Sequence, residues 1–156
     1  MGIGPITAQG GGSGTVTGTG ASGQVSFWSG ASAIAGSASL LWDNAKKLFT
    51  VSGRVRRSKG ADVASANDLT LGLDGNCFTV TGTTQINGIA TADWTAGSDV
   101  VIEFSAALTV KHNTAPGAGF APLYLAGAVD FSATADDILY LYYNGTVWRE
   151  IARTAV

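Results

Sequence analysis

Apolar and polar residues alternate with a period of two along much of this chain. In "DVVIEFS", Val100, Ile102 and Phe104 fall on one side, with Val101, Glu103 and Ser105 on the other. In "ALTVKHN", Leu108, Val110 and His112 alternate with Thr109 and Lys111. A strand turns successive side chains to opposite faces, so each pattern predicts a strand with one face buried. "KLFTVS", "LTLGL", "CFTVTG", "PLYLAG", "ILYLYY" and "VWREIA" carry the same β-branched and aromatic weighting and also read as strands. No stretch repeats apolar positions at helical spacing between capping residues.

The turn residues agree with this reading. "YYNGTVW" sets Asn144-Gly145 between two aromatic-rich runs. That predicts a hairpin with a type I′ turn, which needs positive φ at both central residues. "GLDGNCF" predicts a second hairpin over Asp74–Asn76, and "LWDNAKKLF" a third over Asp43–Lys46. "HNTAPGAGFAP", with two prolines and two glycines, reads as a loop. Short strands at this density of turns predict an all-β fold, a sandwich or a barrel.

The first sixty residues fit this picture poorly. "GPITAQGGGSGTVTGTGASG" is almost wholly Gly, Ser, Thr and Ala, a composition that buries too little to offset ordering entropy. Yet Phe27, Trp28, Leu40, Leu41 and Trp42 follow at once among small residues. Rings so poorly enclosed by their own segment are expected to pack against another chain. The polar stretch "SGRVRRSKGADVASAND" marks the boundary, giving a Gly-rich arm over residues 1–60 and a body over 61–156.

Charge sharpens the division. Charged residues are 13% of the 156, about half the usual share, which suggests a surface largely covered by other protein. The net charge is −2, with six positive and one negative residue in 1–60 (+5) and three positive and ten negative in 61–156 (−7). A basic arm that docks and an acidic body that faces outward would account for this. No apolar run approaches the roughly 18 residues of a membrane span, and no signal peptide or myristoylation motif is visible, so no membrane partner is expected. Cys77 is the single cysteine, so no intramolecular disulfide forms and folding in a reducing cytosol fits best.

Candidate chemistry is sparse. His112, the single histidine, lacks a second ligand at metal spacing and reads as a core or interface residue. Cys77 opens a strand beside Phe78 and reads as a small buried hydrophobe rather than a nucleophile. Asp130, Asp136 and Asp137 could form an acid pair for sugar cleavage, but Asp136-Asp137 enters a strand, where Asp caps local backbone. "GGGSG" lacks the Lys-Ser/Thr of a phosphate loop and reads as a thin strand or extended arm. "RVRRSKG" (Arg54, Arg56, Arg57) reads as a solvated linker or a docking patch for an acidic neighbour. Nucleic acid is not expected, because no aromatic platform is interleaved. Tyr140, Tyr142, Tyr143 and Trp148 cluster on one hairpin; Tyr140, Tyr142 and Trp148 are candidate sugar contacts in a receptor site, although aromatics more often fill a core or a seam between chains.

"SGQVSFWSGASAIAGSASLLWDNAKKL" resembles a segment recurrent in bacteriophage tail fibres and related virion appendages. The residues that carry the resemblance are Gly23, Val25, Phe27, Trp28, Ile34, Gly36, Leu40, Trp42, Asp43, Lys46 and Lys47. "CFTVTGTTQINGI", "WTAGSDVVIEF", "LTVKHN" and a closing "NGTVWREIAR" are similar to a second phage structural module. The two likenesses span about residues 14–153. They imply a trimeric, β-rich, non-enzymatic virion protein without cofactor or metal, assembled in the bacterial cytoplasm. Such fibre segments usually continue into further repeats or a chaperone domain. This chain does neither, which favours a short fibre or a capsid-decorating protein.

The whole reading is an extended Gly-rich arm followed by a jelly-roll-like β-sandwich in a homotrimer. Phe27, Trp28, Leu40, Trp42, Arg54, Arg56 and Arg57 are expected at contacts with sister chains or other virion proteins of capsid or tail. The alternative is a receptor-binding tip that grips a host-surface glycan.

Overall fold

A computed structural model describes residues 17–19, 21–30 and 33–154. The chain is all-β, and the helical content of the described residues is a 3₁₀ turn at Ala126–Ala128. None of their helices is long and apolar enough to cross a membrane. Contacts divide the chain into two units, one up to Arg56 and one from Arg57. The "GGGSG" stretch lies outside the described residues.

In the first unit the described residues form a sheet rather than an extended arm. β1 (Thr17–Thr19) runs parallel to β3 (Ala33–Asp43), and β2 (Gln24–Gly30) and β4 (Leu48–Val51) pair with β3 antiparallel. The reason is local. Val25, Phe27, Ile34, Leu40 and Trp42 have strand propensity, and the small residues between them let backbones approach. The Asp43–Lys46 hairpin forms as the sequence suggests. Asp43 Oδ1 accepts from the amides of Ala45 and Lys46, both at 3.0 Å. Lys47 takes positive φ to complete the turn.

The second unit contains β5 (Val63–Ala64), β6 (Asp68–Leu69), β7 (Cys77–Thr81), β8 (Gly88–Ala90), β9 (Asp99–Phe104), β10 (Leu108–Val110), β11 (Phe120–Tyr124), β12 (Phe131–Ala133), β13 (Ile138–Tyr143) and β14 (Trp148–Thr154). Eight of them make one sheet in the order β5-β7-β9-β13-β14-β11-β8-β6, and β10 pairs with β12. Strands about 4.8 Å apart would place the outer two of eight roughly 34 Å from each other in a flat sheet. Here those two are β5 and β6, joined by residues 65–67 alone. That link spans at most about 14 Å, so the sheet must curl until its edges approach. Hydrogen bonds hold the link at both ends. Ser65 N donates to Thr81 O at 2.6 Å, and Asn67 O accepts from Asn87 N at 2.7 Å.

The core fills the inside of the curl. Phe78, Val80, Val100, Ile102, Phe104, Leu139, Leu141 and Trp148 are buried, at the alternating positions the sequence pattern marks. The β10–β12 ribbon adds Leu108, Val110, Phe131 and Ala133. Phe131 meets Phe104 edge to face at 6.1 Å, and parallel bridges (Ile86 to Val110, His112 to Leu123) tie the ribbon to the sheet.

Two turn expectations are corrected. Asp74–Asn76 is not a hairpin turn, because β6 pairs with β8 while β7 pairs with β5 and β9. Asp74 instead anchors the segment leading into β5, Oδ2 accepting from Ala61 N at 2.6 Å. The β13–β14 hairpin forms, with Tyr143 opposite Trp148. Its turn is not type I′: Gly145 has φ +95°, while Asn144 is not among the residues of positive φ. The Asn144 side chain closes a wider turn, its Oδ1 accepting from Thr146 N and Val147 N at 2.9 and 2.8 Å.

Candidate interaction surfaces

Among its described residues the first unit buries none of its large apolar side chains. Trp28 is 62% exposed, Trp42 42% and Phe49 52%, with Phe27 and Leu48 also exposed. Register explains the clustering. Trp42 lies directly opposite Phe49 and Leu40 opposite Val51, so the four share one face of the β3–β4 hairpin. Trp28 stands opposite Ile34 on β2–β3. A cleft of about 460 Å³ runs beside the hairpin, lined by Leu41, Trp42, Leu48 and Thr50 among others. The Asp43 carboxyl is held below its ordinary value by the Lys46 amide first and the Lys46 ammonium second. Leu48 and Phe49 were absent from the sequence candidates, although the hairpin over Asp43–Lys46 already sets Phe49 across from Trp42.

The three arginines separate. Arg54 and Arg56 are exposed and make no ion pair or hydrogen bond among the described residues. Arg57 belongs to the second unit. Its guanidinium pairs with Asp99, donates to Tyr140 Oη at 3.0 Å and lies 5.1 Å from the Tyr140 ring centre. The hydrogen bond it donates to Asp99, and then the one it donates to Tyr140, push its pKa up.

Of the aromatic hairpin candidates, Trp148 is 0% exposed, in edge contact with Trp94 at 5.3 Å and tilted against Tyr143 at 5.0 Å. As a receptor contact it is corrected: it faces inward, opposite Tyr143 and Leu123. Its Nε1 has no hydrogen-bond partner among the described residues. Tyr140 and Tyr142 face outward. Tyr140 donates to Asp99 Oδ2 at 3.0 Å, and Tyr142 is 37% exposed.

Register brings further residues beside them. Asp99 pairs with Tyr142, Tyr142 with Arg149, and Arg149 with Tyr124. These four form one solvent-facing row across β9, β13, β14 and β11, since their strand neighbours Val100, Leu141, Trp148 and Leu123 are all buried. The Arg149 guanidinium lies 5.6 Å from the Tyr124 ring centre and has no carboxylate partner among the described residues. The alternation in "VWREIA" marks Arg149 as outward-facing. Its neighbour Tyr124 was hidden, because β11 and β14 pair in parallel across a long sequence gap.

The remaining candidates are engaged structurally. His112 Nδ1 accepts from Leu125 N at 3.0 Å, and its ring meets Tyr124 edge-on. Asp137 is 1% exposed and caps the turn, accepting from Thr134 N at 2.8 Å. Asp130 binds Lys111 at 2.5 Å and His112 N at 2.8 Å, which hold its carboxyl below the ordinary range. Cys77 is half-buried on the outer face rather than in the core, in a groove with Lys59, Thr79 and Glu103. Among the described residues no three His, Cys, Asp or Glu side chains gather where a metal ion could sit. In comparisons with known proteins, the chain matches no family model, no curated protein and no solved structure.

Proposed function

We propose that this chain is a non-enzymatic structural subunit of a bacteriophage particle, a homotrimeric short fibre or capsid-decorating protein. Residues 24–51 form the surface that holds it to sister copies and to other virion proteins. The curled second unit takes the place of the jelly-roll sandwich of such modules. The observation that carries this reading is the exposed aromatic face of the first unit. A tryptophan side chain offers on the order of 200 Å², so the exposed fractions of Trp28 and Trp42 leave about 120 and 80 Å² in water. At about 25 cal/mol per Å² their coverage is worth roughly 3 and 2 kcal/mol. The likeness of residues 23–48 to phage appendages points the same way. Arg54 and Arg56 add a salt-sensitive attraction to an acidic partner.

The test is the mass of the full chain by light scattering at micromolar concentration. About three chain masses are expected, and Trp28→Ser with Trp42→Ser should weaken association by roughly a thousandfold or more. A wild-type chain that stays monomeric, or a double variant that assembles unchanged, refutes the proposal. A second reading, a carbohydrate-binding tip, draws on one observation, the outward Tyr142–Arg149–Tyr124 row.

A further inference from the structure

The geometry points to an acidic-saccharide contact face on the second unit, centred on Arg149 between Tyr142 and Tyr124. This gives the carbohydrate-binding reading, on which it rests for its biological use, a ligand class and named residues. Its chemistry does not depend on how the chain assembles.

The row has three properties that together select a ligand. First, it offers ring surface. Tyr142 is substantially exposed, Tyr124 and Tyr140 are half-buried, and all three stand on the outward side of neighbouring strands. Flat apolar ring faces suit the C–H faces of sugar rings, and phenol hydroxyls suit their hydroxyls. Second, it holds one cation without an acidic partner. Asp99 is taken by Arg57, Glu150 by Arg153 and Asp130 by Lys111. Arg149 lies against the Tyr124 ring and has no ion-pair partner among the described residues, so its planar fork of donors is available to a carboxylate. Third, the row is long. The two strand intervals of about 4.8 Å from Tyr142 to Tyr124 give roughly 10 Å, more than a single sugar ring occupies.

Charge argues against a long polyanion such as a nucleic acid. Residues 57–156 carry five positive and ten negative side chains, a net of −5. A nucleic acid gains affinity by neutralising many phosphates with clustered cations, and here one arginine faces a negative body. A short acidic oligosaccharide sets one carboxylate on that single arginine while its rings lie on the tyrosines.

The experiment is calorimetric titration of the full chain with three probes: linear trigalacturonate, neutral maltotriose and inorganic phosphate. Trigalacturonate should bind with a millimolar or tighter dissociation constant, maltotriose more weakly and phosphate not measurably. Arg149→Gln should lose roughly tenfold or more for trigalacturonate and little for maltotriose. Arg149→Lys keeps the charge without the fork and should fall between. Tyr142→Ala should weaken both sugars. Failure of trigalacturonate to bind at millimolar concentration overturns the inference, as does binding unchanged in Arg149→Gln. Phosphate binding as tightly as the sugar overturns the ligand class. A change of assembly mass in Tyr142→Ala also overturns it, since that would make the row an interface between copies, whereas loss of the trimer in wild type would bear only on the assembly proposal.

Discussion

Replacing Trp148 separates a core role from a surface role. Its side chain is fully buried, between Tyr143 of β13 and Leu123 of β11, with Trp94 against its edge. Trp148→Ala removes the largest fully buried side chain of the unit. Two neighbouring strands are fixed by their own ladders and cannot collapse into the space, so the cost should lie near the top of the usual range, about 4–5 kcal/mol. Trp148→Phe should behave differently. It gives up part of the ring, worth roughly 1–2 kcal/mol in area and cavity. It also removes a buried N–H that has no partner among the described residues, a group costing about 1–3 kcal/mol. The two effects nearly offset, and the net change should stay within about 1 kcal/mol. Urea denaturation followed by far-ultraviolet circular dichroism reads both variants without relying on tryptophan emission. With a slope of about 2 kcal/mol per molar, Trp148→Ala should move the midpoint down by roughly 2 M. A shift below about 0.5 M would refute the core assignment. An equal loss in Trp148→Phe would show that Nε1 is not a burden.

Gly145→Val should destabilise the second unit by about 2 kcal/mol or more, since the residue sits at φ +95° and a Cβ there would lie 3.2 Å from Ala96 Cβ; thermal melts indistinguishable from wild type would refute this. Glu150 makes stability depend on acid. Burial alone would push its carboxyl up, but Arg153 (2.6 and 2.5 Å) and the Ala126 amide (2.8 Å) outweigh it and hold the folded value below 4.5. A depressed folded pKa means that the unfolded chain binds more protons in the interval between the two values, so this contribution is complete above pH 4.5 and is lost as pH falls through the folded value. Glu150→Gln should therefore flatten the fall of urea midpoint with acid in that interval, and an unchanged slope would show that the pair contributes nothing.

How far the sequence could be read depended on the range of the interaction. Alternation in "DVVIEFS" placed Val100, Ile102 and Phe104 in the core, because side-chain direction in a strand is local. The Asp43–Lys46 turn was legible because one Asp side chain caps it from within. Asn144-Gly145 was legible as a turn but not as a turn type, since Asn144 closes it with its side chain instead of taking positive φ itself. Trp148 was misplaced because an aromatic cluster does not say which rings face in, although alternation with Arg149 contained the answer. The parallel pairs β5–β7, β7–β9, β6–β8 and β11–β14 left no local trace, because no turn joins the partners. With them the groupings of Arg57 with Asp99, and of Tyr124 with Arg149, were out of reach.

The two units solve the problem of apolar surface in opposite ways. In the second, a curled sheet and a ribbon enclose Trp148, Phe78 and Phe104, so one chain supplies both layers of its core. In the first, none of the described hydrophobic residues is buried, and the strands from Thr17 to Val51 make one layer. A sheet with an apolar face is stable only when something is laid against that face. The charged residues that usually keep such a face apart from its neighbours are few: around Trp42 and Phe49 stand Asp43, Lys46 and Lys47, all at the turn and none within β4. Lysines or prolines along an exposed strand would argue that contact is being avoided. Their absence from Leu48–Val51, together with aromatic rings facing one another across the hairpin, argues that contact is the purpose of this unit. If another chain supplies the second layer, as proposed above, the stability of residues 24–51 should rise with protein concentration while that of the second unit does not.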